Sequence, residues 1–338
     1  MAKSKTPTIF IQIASYRDPE LVKTIEDCIT NAKNPKNLRF GICRQYHPQD
    51  VFDNLDKYKE DKRFRILDVL CEYSKGVCWA RNQVQQLYEG EMYTLQIDSH
   101  MRFAPNWDVE MIGMVKQLQE MGIPKPLLTS YVSSFDPEND PVARVQEPWR
   151  MAFDRFIPEG AVFFLPETIP NWQELDTPVP ARFYSAHYAF TVGEFSNEVQ
   201  HNPEYYFHGE EISIAVRAFT WGYDLFHPHK VLIWHEYTRK GRTKQLEDNS
   251  KWHEKNTKCH KRNRILLKME EDDQNTDFGV YGLGTERTLE EYERYAGISF
   301  KKRAVQQYTL NFELPPNPEY KNEKEFLTRE NWLNQLAG

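Results

Sequence analysis

Thr8-Ile9-Phe10-Ile11-Gln12-Ile13-Ala14 is a run of strand length dominated by isoleucine and phenylalanine, and Asp18-Pro19 follows it ahead of Leu21, Ile25 and Ile29 at helical spacing. Such a run suits a strand buried on both faces. A carboxylate able to cap and a proline suited to the first turn mark the start of a helix. One β-α unit is thereby defined. Outward from it the alternation recurs: 38–46 and 64–70 read as strands, 77–88 as a helix, 93–97 as a strand, 107–121 as a helix and 127–132 as a strand. Strands alternating with helices predict an α/β architecture, a Rossmann-like and mainly parallel sheet flanked by helices, with its ligand beyond the carboxyl ends of the strands.

The 338 residues are 40% hydrophobic, 14% aromatic and 28% charged, with 15 Gly and 20 Pro, which excludes collagen-like, coiled-coil and disordered classes. A net charge of −7 argues against a nucleic-acid partner held by a basic face. Cys28, Cys43, Cys71, Cys78 and Cys259 are scattered without paired spacing, which fits free thiols in a reducing compartment. The first eight residues lack a signal-peptide pattern, and no apolar run reaches membrane-spanning length, so a cytoplasmic location without membrane insertion is expected.

Between 133 and 180 prolines become dense and aromatic clusters arise, predicting loops and short strands that close over a site. Residues 209–220 read as a helix and 231–237 as a strand carrying His235. The stretch 239–268 then holds eleven Lys and Arg against Glu247, Asp248 and Glu254. Over 251–264 a solvated face is the expected reading. Gly279, Gly282 and Gly284 do not form a dinucleotide fingerprint and read as a turn, and neither a phosphate loop nor a nucleophile elbow is present.

Chemistry concentrates in Leu95-Gln96-Ile97-Asp98-Ser99-His100. An apolar strand there delivers a carboxylate and an imidazole two residues apart, and both can reach one divalent ion if the backbone turns. A strand-end Asp making turn hydrogen bonds beside an exposed His fits the same letters. His235 adds a third candidate ligand, or else is a packed core histidine. This mixed oxygen and nitrogen set suits Mn²⁺, with Mg²⁺ or Zn²⁺ also compatible. In Tyr206-Phe207-His208-Gly209-Glu210-Glu211 the paired acids open a helix, which for Glu210 could be favourable dipole chemistry alone. Arg239, after His235, could cover an anionic leaving group.

The stretches IQIASYRD (11–18), GVCWARN (76–82), LQIDSHMRF (95–103), SAHYAF (185–190), 209–223 and YGLGTERTLEEYERYAGISF (281–300) together resemble the cytosolic polypeptide N-acetylglucosaminyltransferases that glycosylate a hydroxyproline on a ubiquitin-ligase adaptor. The middle of the chain is also similar to the mucin-type polypeptide N-acetylgalactosaminyltransferases, whose D-x-H strand end, G-G-E-N segment and later His correspond to Asp98/His100, Gly209 to Glu211, and His235. The resemblance implies a GT-A fold, a UDP-sugar donor, Mn²⁺ (or Mg²⁺) on Asp98, His100 and His235, and transfer with retention to a protein or glycan hydroxyl. It implies that Ala14, Ser15, Tyr16 and Arg17 line the nucleotide, with Arg44, Gln45 and Ser99 joining them and Arg239 nearby. Arg81 would face the diphosphate or donor sugar, and His187, Tyr188 and Glu211 the sugar and acceptor, so that Glu211, Glu210 and Arg81 form the candidate catalytic set. Residues 1–240 would be the catalytic domain, with a nucleotide half (1–135) and a sugar and acceptor half (136–240), and 241–338 a helical and loop extension packed on it. Glu211 stands where the mucin-type pattern has Asn, and His208 where it has Gly. The sugar is therefore open among GlcNAc, which the resemblance favours, GalNAc, glucose, galactose and glucuronate.

Physical chemistry supports the same reading. Breaking an anomeric C–O bond leaves negative charge on the diphosphate, which a divalent ion stabilises without a proton donor. The chain accordingly shows no obvious glycosidase-type carboxylate pair. Other uses of such a sheet are UDP-sugar hydrolysis, nucleotidyl transfer, or glycan binding without catalysis through Trp149, Trp172 and Tyr184.

Overall fold

The computed structural model describes residues 7–238, 241–272, 274–315 and 327–328. In chain order the elements are β1 (Ile9–Tyr16), α1 (Leu21–Asn31), β2 (Leu38–Tyr46), β3 (Phe64–Leu70), α2 (Val77–Gln85), β4 (Tyr93–Asp98), β5 (Met101–Phe103), α3 (Trp107–Glu120), β6 (Pro126–Thr129), β7 (Trp149–Phe156), β8 (Val162–Thr168), β9 (Val179–Pro180), β10 (Tyr188–Val192), α4 (Phe195–Glu198), α5 (Glu210–Thr220), β11 (Asp224–His227), β12 (Ile233–His235), α6 (Gln245–Asp248), α7 (Trp252–Leu266), α8 (Leu289–Ala296), β13 (Ile298–Ser299), β14 (Ala304–Val305), α9 (Gln307–Leu310) and β15 (Leu327–Thr328).

Eight strands form one sheet in the order β3-β2-β1-β4-β10-β6-β11-β9. Pairings β1–β2, β2–β3, β1–β4 and β6–β11 are parallel, as the β-α alternation predicts. β10 runs antiparallel between β4 and β6, and β9 antiparallel on the edge. Side-chain alternation along β1 shows how the layers close. Ile9, Ile11 and Ile13 point into one core with Leu21, Ile25 and Cys28 of α1 and Trp107, Met111 and Val115 of α3. Phe10 points the other way, onto Ala80 and Val84 of α2. Each such fully buried aliphatic contributes roughly 1.5–3 kcal/mol. A second core gathers α5, α8 and the β7–β8 hairpin around Phe164, Phe183, Ile214 and Tyr292.

Two expectations change. The strand expected at 231–237 contracts to β12, which pairs antiparallel with β5 outside the main sheet. Asp18 does not cap α1 through its side chain; one carboxylate oxygen accepts from the Glu20 N–H at 2.9 Å and the other faces the strand ends. In keeping with the short strands expected between 133 and 180, the aromatic stretch there includes the β7–β8 hairpin, with a register shift between Phe153 and Arg155. The glycines at 279–284 lie in a turn, as expected, and all five cysteines are free thiols. Arg239 and most of the tail beyond 315 lie outside the described residues.

Candidate functional site

β4 ends on Asp98, opposite Ala14 of β1. The chain turns through Ser99 and His100 into β5, and the β5–β12 register sets Met101 opposite His235. A residue 137 positions away in sequence is thus carried back to the same strand end, with His235 Nε2 3.3 Å from Asp98 Oδ2. His100 Nε2 lies 3.6 Å from that oxygen. One donor atom from each of Asp98, His100 and His235 falls within 4.8 Å of the others, and no other such group of His, Cys, Asp or Glu occurs among the described residues.

Two of the three donors, Asp98 and His100, are held from behind. His100 Nδ1 hydrogen-bonds Asp18 Oδ2 at 2.8 Å, which turns Nε2 toward Asp98 and fixes the ring, as the outer partner of a metal-bound imidazole does. Asp18 also accepts from the Ser99 hydroxyl at 2.8 Å and from Arg242 Nη1 at 3.2 Å. Burial pushes the Asp18 carboxyl up, but His100 and Arg242 outweigh it and hold the group at about 2. Burial pushes His235 down to about 4, so at neutral pH its imidazole is in the neutral, ligating form. Its Nδ1 is buried without a hydrogen-bond partner. One carboxylate and two imidazoles fit a borderline divalent ion such as Mn²⁺.

Arg81 on α2 organises the acidic side. Its Nη2 donates to Asp98 Oδ1 at 2.7 Å, leaving Oδ2 toward the histidines, while Nη1 donates to both oxygens of Glu210 at 2.8 and 2.7 Å. His201 Nδ1 lies 2.6 Å from Glu210 as well. Burial pushes the Glu210 carboxyl up, yet Arg81 and His201 hold it at about 2. Glu211, one residue on, lacks such a cation. Its oxygens accept from the Ala186 N–H at 3.0 Å and the Tyr131 hydroxyl at 2.9 Å, and burial raises it to about 7.

Arg81, Asp98, His187, Glu210, Glu211 and His235 line a cleft of about 590 Å³ together with the aromatic Trp149, Phe163, Phe164 and Phe207. His187 stacks on His235 with ring centroids 4.4 Å apart, and its Nε2 accepts from the Val132 N–H at 3.2 Å. Tyr237 lies edge-on to both rings.

A family model described as Glycosyltransferase (GlcNAc) matches residues 8–68 and 52–302. The chain belongs to this GlcNAc glycosyltransferase family. No curated protein matches its sequence. Among solved structures, GalNAc-T7 with UDP, GalNAc and Mn²⁺ superposes with a TM-score of 0.55 at 13% identity, over 86% of this chain and 57% of that one. The chain thus spans little more than half of GalNAc-T7, and the likeness establishes the GT-A fold. S. aureus TarS 1–349 in complex with UDP-GlcNAc aligns at a TM-score of 0.46 and 9% identity, covering 72% of this chain and 61% of that one.

Within this family member the remaining sequence-derived candidates fall into three groups. Ala14, Ser15, Tyr16 and Arg17 do lie at the end of β1, with Gln45 Nε2 donating to the Ser15 carbonyl at 3.0 Å. There the Tyr16 hydroxyl donates to Asp248 of α6 at 2.6 Å, and Arg17 bonds Asp50 and Asp248. Arg44 is spent on Asp53 and Asp68, each at 3.1 Å. Tyr188 is displaced from the expected set: it is 1% exposed within the core, and its hydroxyl has no partner. Tyr184, expected as a stacking residue, is also core, with Gln96 Nε2 donating to its hydroxyl at 3.0 Å. Of the three proposed stacking aromatics, Trp149 lines the cleft. Sequence reading missed Asp18, Tyr131, His201, Tyr237 and Arg242. Asp18 carried a signal, an acid just past a strand end, that was read as a cap. Arg242 was hidden among neighbouring cations.

Proposed function

We propose that the protein transfers a sugar, GlcNAc by family, from a UDP-sugar to a hydroxyl of a protein or glycan acceptor, with retention at the anomeric carbon and in a cytoplasmic setting. The observation that carries this reading is the convergence of Asp98, His100 and His235 at the carboxyl edge of the sheet. The fold neighbour recorded with UDP, GalNAc and Mn²⁺ supports it. Asp98, His100 and His235 would hold the ion, which when bound stabilises charge developing on the diphosphate.

The chain's own groups supply the rest. Ala14 to Arg17 and Gln45 would meet the nucleotide at the ends of β1 and β2, and Ser99 would help orient the metal ligands through its bond to Asp18. Arg81 is the cation nearest the metal set, and Glu210 positions it, since both Glu210 oxygens are taken by the guanidinium. Glu211 faces the cleft near neutrality in pKa, and is the group able to take a proton from an acceptor hydroxyl or hold one at its Oε2. The aromatic wall excludes water and offers ring faces to the sugar C–H surfaces. Residues 1–240 form the catalytic unit in this reading, with the C-terminal helices packed against it.

The test is Mn²⁺-dependent UDP release from UDP-GlcNAc. Asp98→Ala or His235→Ala is expected to lower it at least about 100-fold. Undiminished turnover in either variant rejects the ligand assignment, and pyrophosphate instead of UDP as product indicates nucleotidyl transfer.

A further inference from the structure

Helix α7 displays Lys255, Lys258, Lys261, Arg262 and Ile265 along one face, the i, i+3, i+7 spacing that aligns side chains on a helix. Together with Gln274 and Thr276 opposite, this face encloses a groove of about 290 Å³. A solvated basic stripe would be convex, whereas these cations converge on one concavity. Lys255 and Lys258 have no ion-pair partner among the described residues. Glu204 sits at the rim, paired with Arg262 at 2.9 Å. Asp272 accepts from the Gln274 and Thr276 N–H groups and the Thr276 hydroxyl, and its charge also acts on Lys261, so the lining and its surroundings set four cations against the two acids Glu204 and Asp272. The groove therefore presents net positive charge on a protein of net charge −7.

Its position ties it to the cleft. The other face of α7 packs behind the segment that walls the sugar site: Cys259 Sγ donates to the His208 carbonyl at 3.2 Å, and Asn263 lies against Gly209. Glu204 on the groove rim and Phe207 on the cleft wall are three residues apart, a span of at most about 11 Å. A chain entering the cleft through its acceptor hydroxyl could reach the groove within a few residues.

We infer that this groove docks an acidic stretch of a polypeptide acceptor, flanking the residue that receives the sugar. The inference rests on the proposed transferase reading. Lys255 and Lys258, without an ion pair among the described residues and in a recess that Lys261 and Arg262 also line, match a short run of Asp or Glu, while the acidic remainder of the protein repels an extended polyanion such as nucleic acid or an anionic membrane.

The experiment measures fluorescence anisotropy of the full chain with a labelled decapeptide containing four Glu around one Thr, the same peptide with Gln for Glu, and a single-stranded DNA decamer, at 50 and 200 mM salt. Binding of UDP-GlcNAc in the presence of Mn²⁺, read by calorimetry, is followed in parallel. The Glu peptide is expected to bind at least about tenfold tighter than the Gln peptide. Lys255→Glu with Lys258→Glu is expected to abolish that preference, and Lys255→Gln with Lys258→Gln to weaken it, while Mn²⁺-dependent UDP-GlcNAc binding stays at the unaltered level. Equal binding of Glu and Gln peptides, a preference that survives both double variants, or tighter binding of the DNA overturns the proposal. Absence of Mn²⁺-dependent UDP-GlcNAc binding by the unaltered protein with the charge preference intact would reject the transferase reading and leave the acidic-peptide groove standing.

Discussion

Replacing Glu211 by Gln isolates the consequence of a partly buried carboxyl with no cation hydrogen-bonded to it. The geometry tolerates the change: the amide oxygen can still accept from the Ala186 N–H, and the Tyr131 hydroxyl, which now donates to Oε2, can instead accept from the amide. What is removed is the proton linkage. Burial lifts this carboxyl from its ordinary 4.5 to about 7. The folded state then retains a proton that the unfolded chain releases, so the contribution is fully present below pH 4.5 and is lost as pH rises to about 7. The displacement corresponds to a loss of up to about 3 kcal/mol by pH 8. Urea denaturation of both proteins from pH 4.5 to 8.5 is the assay. The E211Q variant is expected to match the unaltered protein near pH 4.5 and to exceed it in stability progressively toward pH 8. In the same window its sugar transfer should fall sharply while UDP binding persists. A stability difference between the two proteins that does not vary with pH would refute the burial argument.

Asp18→Asn keeps the size of the group that orients His100 and removes its charge, so Mn²⁺ affinity, read by electron paramagnetic resonance titration, is expected to weaken about 10–100-fold. Tyr188→Phe deletes a buried hydroxyl without a partner, and is expected to leave KM for the donor unchanged while shifting stability by less than about 1 kcal/mol, measured by urea denaturation. Gly193→Ala would bring a Cβ to 1.9 Å from the Glu91 carbonyl oxygen, so a stability loss of about 3 kcal/mol or more is expected in thermal melts.

The parallel half of the sheet was legible because each strand there is a self-contained apolar run: 38–46 and 64–70 match β2 and β3 residue for residue. β10 was not, because an antiparallel insertion depends on which neighbours accept it and leaves no periodicity of its own. The metal-ligand candidates were readable at strand ends, where Asp98 and His100 stand close in sequence. Their supports were not, since Asp18 and Arg242 reach His100 from 82 positions before it and, through Asp18, from a loop beyond β12. Tyr188 shows the converse error. Its place beside His187 in sequence suggested a shared role, but His187 lies in the turn ahead of β10 and lines the cleft, whereas Tyr188 opens the strand and is buried in the core. Glu210 and Glu211 are separated in the same way, by which of them Arg81 reaches.

In the proposed metal-bound state, the β5–β12 ribbon would make chelation a late event in the life of the molecule. Because the second imidazole arrives only when residues 233–235 dock onto 101–103, a nascent chain still short of that point can offer the cation two ligands at most. Tight manganese uptake would therefore audit completed assembly, sparing unfinished polypeptides from sequestering the ion and tying the onset of activity to closure between distant parts of the sequence.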